Sequence, residues 1–313
     1  MRTAGLASLF VFAFLAATGL ISPGARAQEA PPDTPAPKIS APDLTPDPHG
    51  ALSQQQMMDL FRVVADRDIQ NQKRLRDYTY VERDETHDLD GSGKVTKTES
   101  ETFEIMEIYG RQVRRKIAKD DKPLSEKEAA KEEEKIQKAM DERKNESEGE
   151  REKREKKQRK QEDEDRKWVR EIADAYNFRL VGTEQIDGRD NWVIEGEPRP
   201  GFHPEMRFAN YMPDFHGRVW IDKQDLQLSK MDIECIQNLS WGLVVARVHK
   251  GTRVVLEQTR INDEVWLPKH QAVKLSARVG LFKSLHLDED DTFRDYKKFR
   301  ATARVVGAVP VSK

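Results

Sequence analysis

Phe178-Arg179-Leu180-Val181-Gly182-Thr183-Glu184-Gln185-Ile186, then Asp187-Gly188-Arg189-Asp190, then Asn191-Trp192-Val193-Ile194-Glu195-Gly196-Glu197, is the stretch that decides the fold. Two extended runs flank an Asp-Gly turn, which is a hairpin signal. The same texture continues through Arg218–Asp222, Leu226–Ile236, a run about Leu243–His249, Arg253–Ile261, Val265–Ala277 and Thr292–Val306. Parallel crossovers need helical intervals, and these runs lack them, so they describe a meandering antiparallel sheet.

Working outward, Tyr78, Thr79, Tyr80 and Val81 open another β-rich run. It breaks at Asp90-Gly91-Ser92-Gly93, resumes through Phe103, Ile105, Glu107 and Tyr109, and is followed by a short strand at Gln112–Ala118. Before it, Ser53 and Gln56 form a capping box, with Leu52 and Met57 placed as a hydrophobic staple. Met57, Leu60, Phe61, Val64 and Ala65 then recur at helical spacing, giving a helix with one apolar face that needs a partner. Between the two β regions, Lys122–Lys167 holds 16 Lys/Arg and 16 Asp/Glu in 46 residues. Ser125 and Glu128 cap its start, apolar positions are scarce beyond Ile136 and Met140, and Asn145–Gly149 interrupts it, so it reads as a solvated helical insertion. Trp168, Val169, Ile172, Ala173 and Tyr176 then line one face of a helix.

The N-terminus supplies an address. Arg2, the apolar run Leu6–Ile21 and Ala25-Arg26-Ala27 make residues 1–27 a secretory signal peptide cleaved after Ala27. The expected location is therefore secreted, and periplasmic in particular. Residues 28–50 carry seven prolines and read as an extended tether without a fold of its own. The domain expected beyond it spans 51–306, interrupted at about 122–167, and leaves a C-terminal tail at 307–313. The insertion has no net charge and the whole chain a formal net charge of -2, so neither presents the positive field that nucleic acid binding requires. Cys235 is the single cysteine, which leaves the fold to its hydrophobic core; its alternating neighbours turn the thiol inward.

The search for chemistry yields little that is enzymatic. The seven histidines show no close metal-ligand spacing, there is no nucleophile elbow, and no cofactor motif is present. The reading is that the chain is not an enzyme. Asp88, Asp90, Ser92, Thr96 and Glu99 fall at calcium-loop positions of an EF-hand, but the flanks are β-prone and Asp and Gly equally suit a hairpin tip. The metal expectation is none, with this loop as the alternative. The sharper clue is apolar. Trp192, Ile194, Trp220, Met231, Ile233, Leu256, Trp266 and Leu275 lie on the strands of a sheet whose curvature creates a concavity, suited to an acyl chain or filled as an ordinary core.

Val181 to Glu195, then Gly217-Arg218-Val219-Trp220-Ile221-Asp222-Lys223, then Leu228-Ser229-Lys230-Met231, resembles the periplasmic lipoprotein-carrier (LolA/LolB-like) superfamily. In that family this order marks consecutive strands of an unclosed barrel with helices across its mouth. The resemblance implies an α+β fold: a curved antiparallel sheet, or half-barrel, with helices over the concave face and here a charged helical insertion. It also implies a non-enzymatic lipid- or lipoprotein-binding protein of the cell envelope, with acyl chains as ligand and transient membrane contact. The insertion and the tether depart from a simple carrier. They support the alternative of an envelope interaction or sensor module that contacts a partner protein.

Overall fold

The computed structural model describes residues 42–299, apart from 109–110, 146, 205–206, 242–245 and 280–282. The expected signal peptide, most of the Pro-rich stretch, the end of the last expected strand and the C-terminal tail lie outside the described residues. In chain order the described elements begin with β1 (Ala51–Leu52), α1 (Gln54–Leu75), β2 (Tyr78–Leu89), β3 (Val95–Ile108), β4 (Arg111–Lys119) and β5 (Lys122–Pro123). Helices α2 (Glu126–Lys144) and α3 (Glu148–Ala175) follow. The rest is β6 (Tyr176–Ile186), β7 (Arg189–Pro198), a 3-10 segment (Arg207–Asp214), β8 (Phe215–Asp222), β9 (Leu228–Cys235), β10 (Leu239–Trp241), β11 (Ala246–Val248), β12 (Arg253–Ile261), β13 (Val265–Val279) and β14 (Lys283–Lys298).

All strands join one curved antiparallel sheet in the order β1-β6-β7-β8-β9-β12-β13-β14-β2-β3-β4-β5, with β10 on β11 and β11 on β13. The sheet does not close into a barrel; β1 and β5, two residues each, form its outer edges. Edges this short offer little template for pairing with another chain. The α+β half-barrel expected from the sequence is the observed architecture.

Local chemistry explains the main elements. The Ser53 side chain accepts from the Gln56 backbone at 3.2 Å while Gln56 Oε1 accepts from the Ser53 backbone at 2.8 Å, completing the expected capping box. The Gln56 side-chain amide also donates to the carbonyls of Asp43 and Thr45. Leu44 is thereby drawn into the core, so the last residues of the Pro-rich stretch are folded, contrary to the expectation of a tether up to residue 50. At the β6–β7 turn both Asp187 and Gly188 have positive φ, 49° and 77°, the left-handed pair that a two-residue hairpin requires. The insertion is two helices broken at Asn145–Ser147, each started by a Ser–Glu pair (Ser125 with Glu128, Ser147 with Glu150). The second helix runs past 167 to Ala175, and Ile172, Ala175 and Tyr176 pack near Met212.

Two boundaries differ from expectation for a physical reason. The last strand starts at Lys283 rather than Thr292, because inward Leu285 and Leu287 are followed at the same spacing by buried Glu289 and Asp291, which read as loop. Strand β10, at three residues, is too short to leave a periodic signal.

Candidate functional site

Directly opposed residues of an antiparallel ladder share a face. Following the register therefore traces one row across the sheet: Ile194 opposes Val219, Val219 opposes Met231, and Met231 opposes Leu256. The neighbouring row runs from Gly217 through Ile233, Val254 and Val273, and Leu275 opposes Leu287 beyond it. Gly217 is required there, since a Cβ would stand 2.5 Å from the Asp232 carbonyl and from Ile233 Cγ2.

Helix α1 lies over this apolar face. Met57 and Leu60 are fully buried against Phe178, Ile194 and Ile221, with Phe61, Val64 and Trp192 packed around them. Farther along, Val254, Val273, Leu275, Leu285 and Leu287 form a second cluster with Cys235, Leu239 and Val248, on which Ile233 and Leu256 pack. Of the residues expected to line a concavity, Trp192, Ile194, Met231, Ile233, Leu256 and Leu275 thus share the helix-covered face. Trp220 is not among them. It opposes Val193 and Lys230, faces the other side, and donates its indole N–H to Glu184 Oε2 at 2.7 Å. Trp266 lies past a register shift in β12, beside the C-terminal half of α1, where its indole donates to Asp225 at 2.9 Å.

The same face changes character where the row continues. Leu256 opposes Gln271, Gln271 opposes Asp291, and Asp291 opposes Asp84. Glu82 and Glu289 join them, so four carboxylates gather on β2 and β14. Arg114 of β4 reaches Asp84 at 2.7 Å and Glu82 at 3.2 Å, with its guanidinium 4.0 Å above the Phe103 ring. Asp84 Oδ1 and Asp291 Oδ1 are buried without a hydrogen-bond partner among the described residues. Burial, reinforced by the neighbouring acids, pushes Asp291 up to about 9 and Glu82 up to about 7. Burial therefore biases Asp291, Glu82 and Asp84 toward their protonated forms. Sequence reasoning missed it, although the spacing Leu285, Leu287, Glu289, Asp291 carried the signal.

The V-W-I-D-K segment has a structural explanation. Asp222 is fully buried, receives the Arg189 fork at 2.7 and 2.8 Å, and accepts from the Gln224 and Asp225 backbones, shaping the β8–β9 turn. Ser229 donates to Asn191 Oδ1 and so ties β9 to the β6–β7 hairpin.

Asp88, Asp90, Ser92, Thr96 and Glu99 sit on the β2–β3 hairpin, between strands rather than helices. Asp90 accepts from Ser92 N, Ser92 Oγ and Lys94 N, Thr96 bonds the Asp88 carbonyl, and Glu99 pairs with Lys97, so their oxygens organise the turn. Among the described residues no group of three or more His, Cys, Asp or Glu is placed to hold a metal ion. Cys235 is buried and donates to the Gln237 carbonyl, and burial pushes its thiol up. Among the described residues no helix is long and apolar enough to cross a membrane.

No known family model matches the chain, and no curated protein matches it by sequence. Solved structures do. A putative outer membrane lipoprotein-sorting protein domain from Vibrio parahaemolyticus is similar over 81% of this chain and 96% of its own, at 11% identity and TM-score 0.32. A DUF1329 family protein from Desulfovibrio piger is similar over 79% and 95%, at 11% identity and TM-score 0.26. A LolA superfamily protein from Nitrosomonas europaea is similar over 78% and 94%, at 9% identity and TM-score 0.26.

Proposed function

We propose that the chain is an exported, non-enzymatic lipid- or lipoprotein-binding protein of the cell envelope, whose helix-covered sheet face receives acyl chains. One observation carries the reading: the apolar row Ile194, Val219, Met231, Leu256 runs unbroken across four strands, its Ile194 and Val219 end packed with the amphipathic helix α1. In the structure this face is packed, with Ile194 fully buried and Leu275 4% exposed. Binding therefore requires α1 to yield its place to the chain, exchanging one apolar partner for another at small net cost. Mass spectrometry of the protein purified from its native envelope tests the proposal, together with titration of a fluorescent fatty acid. Co-purified lipid and saturable binding support it; a reproducibly lipid-free protein that takes up no fatty acid sinks it.

A second reading rests on α2. Its described side chains are exposed almost throughout, Ile136 being buried, and it touches the sheet through β4, where the Lys116 backbone donates to Glu132. An exposed charged helix of this kind suits a partner protein. Deleting Ser125–Lys167 separates the two: acyl binding survives under the first reading, and partner capture is lost under the second.

A further inference from the structure

The sheet-facing stripe of α1 changes chemistry along its length. Met57, Leu60 and Val64 continue at the same three- and four-residue spacing as Arg67, Asn71 and Arg74. These later positions still face the sheet, since Asn71 Oδ1 accepts from the Trp266 backbone at 3.3 Å and Arg74 donates to the Glu264 carbonyl at 2.7 Å. Between this end of the helix and the β8–β9 and β12–β13 turns lies a pocket of about 300 Å³.

Its donors and acceptors are unequally occupied. The Asp225 carboxylate is taken by Arg189 at 3.0 Å, Arg260 at 2.8 Å and the Trp266 indole at 2.9 Å. Asp263 is held by Arg260, and Glu264 by Lys298 and Tyr78. The donors on the opposite wall are not used up in this way. Asn71 is 8% exposed, yet among the described residues its Nδ2 has no hydrogen-bond partner, and neither has the buried Arg67 Nε. Among the described residues no carboxylate lies within ion-pair distance of Arg67. Buried donors are nearly always satisfied, and a guanidinium beside an amide N–H is matched by an anionic oxygen group.

We propose that this pocket is the subsite for the anionic head group, carboxylate or phosphate, of an amphiphile whose chain lies on the apolar face under the first turns of α1. The assignment rests on the acyl-binding reading for the chain and adds the class of ligand. Arg67 and Asn71 donate to the head group, and the Trp266 ring forms part of its wall. A neutral head leaves the guanidinium without a counter-charge and loses the charge-assisted part of the binding.

Calorimetric titration of the full chain with palmitate, 1-palmitoyl lysophosphatidate, monopalmitin and inorganic phosphate tests this. Both anionic amphiphiles should bind at least about tenfold more tightly than monopalmitin. Which of the two binds better identifies the head as carboxylate or phosphate. Arg67→Gln should erase the advantage, and Arg67→Lys should restore part of it. Equal binding of charged and neutral amphiphiles, or a preference that survives Arg67→Gln, overturns the subsite and leaves the acyl reading standing. Inorganic phosphate binding as tightly as lysophosphatidate overturns the head-group assignment, and failure of every amphiphile to bind overturns both readings.

Discussion

One face of this sheet is built in two ways. From β7 to β12 its central row is Ile194, Val219, Met231 and Leu256; from β13 to β2 the same row is Gln271, Asp291 and Asp84. Backbone pairing is the same in both halves, so the difference is entirely one of side chains. Apolar positions gain stability from leaving water, whereas buried carboxylates cost free energy unless they keep a proton or find a cation. The apolar row therefore adds stability at any pH, and the acidic row is where stability depends on pH.

The largest expected effect lies in the apolar half. Leu60→Ala removes a fully buried side chain that joins α1 to the sheet, and should lower unfolding stability by about 3–4 kcal/mol in urea titration. A loss below about 1 kcal/mol would show that α1 is only loosely seated. Next comes Gly217→Ala, where the added methyl meets the Asp232 carbonyl and Ile233; a loss of about 2 kcal/mol is expected from thermal unfolding.

The acidic half should respond with the opposite sign. Because Asp291 and Glu82 have pKa values raised above those of the unfolded chain, the native state binds more protons than the unfolded state between about pH 4 and 9. Their contribution to stability is thus highest at the acid end of that window and is lost as pH rises through it. Asp291→Asn should flatten this slope and stabilise the protein at pH 8 by on the order of 1 kcal/mol. A pH profile of the melting temperature unchanged by the substitution would break the contrast between the halves. The smallest effect belongs to neither: Ser125→Ala removes the hydroxyl that donates to Glu128 and should cost about 0.5–1 kcal/mol, visible as reduced helicity of α2.

These two halves were unequally legible in the sequence. Strands β6, β7, β8 and β12 could be read because apolar residues alternate and Asp187-Gly188 marks a turn. The first half of β14 could not, because Glu289 and Asp291 occupy inward positions where alternation predicts apolar residues. At the candidate site, six of the expected lining residues share the helix-covered face, while Trp220 occupies the other. A one-residue change of phase reverses every side chain, and only the pairing register fixes that phase. Arg67 and Asn71 were invisible for a different reason. Polar residues on a helix ordinarily mark its solvent side, and only the Trp266 contact of Asn71 and the pocket that both residues line show that these two face inward.

The pairing of β14 with β2 also has a consequence for how the molecule assembles. Tyr78 and Lys298 are partners in that ladder, so one of the earliest long strands is matched by the last. On a chain made from its N-terminus, β2, β3 and β4 can form a meander that ends at Lys119 but present an unpaired flank until β14, Lys283–Lys298, has been synthesised. Completion of the sheet thus waits for the arrival of its final strand, and a chain stopped short of Lys283 would be left with two incomplete sheets instead of one.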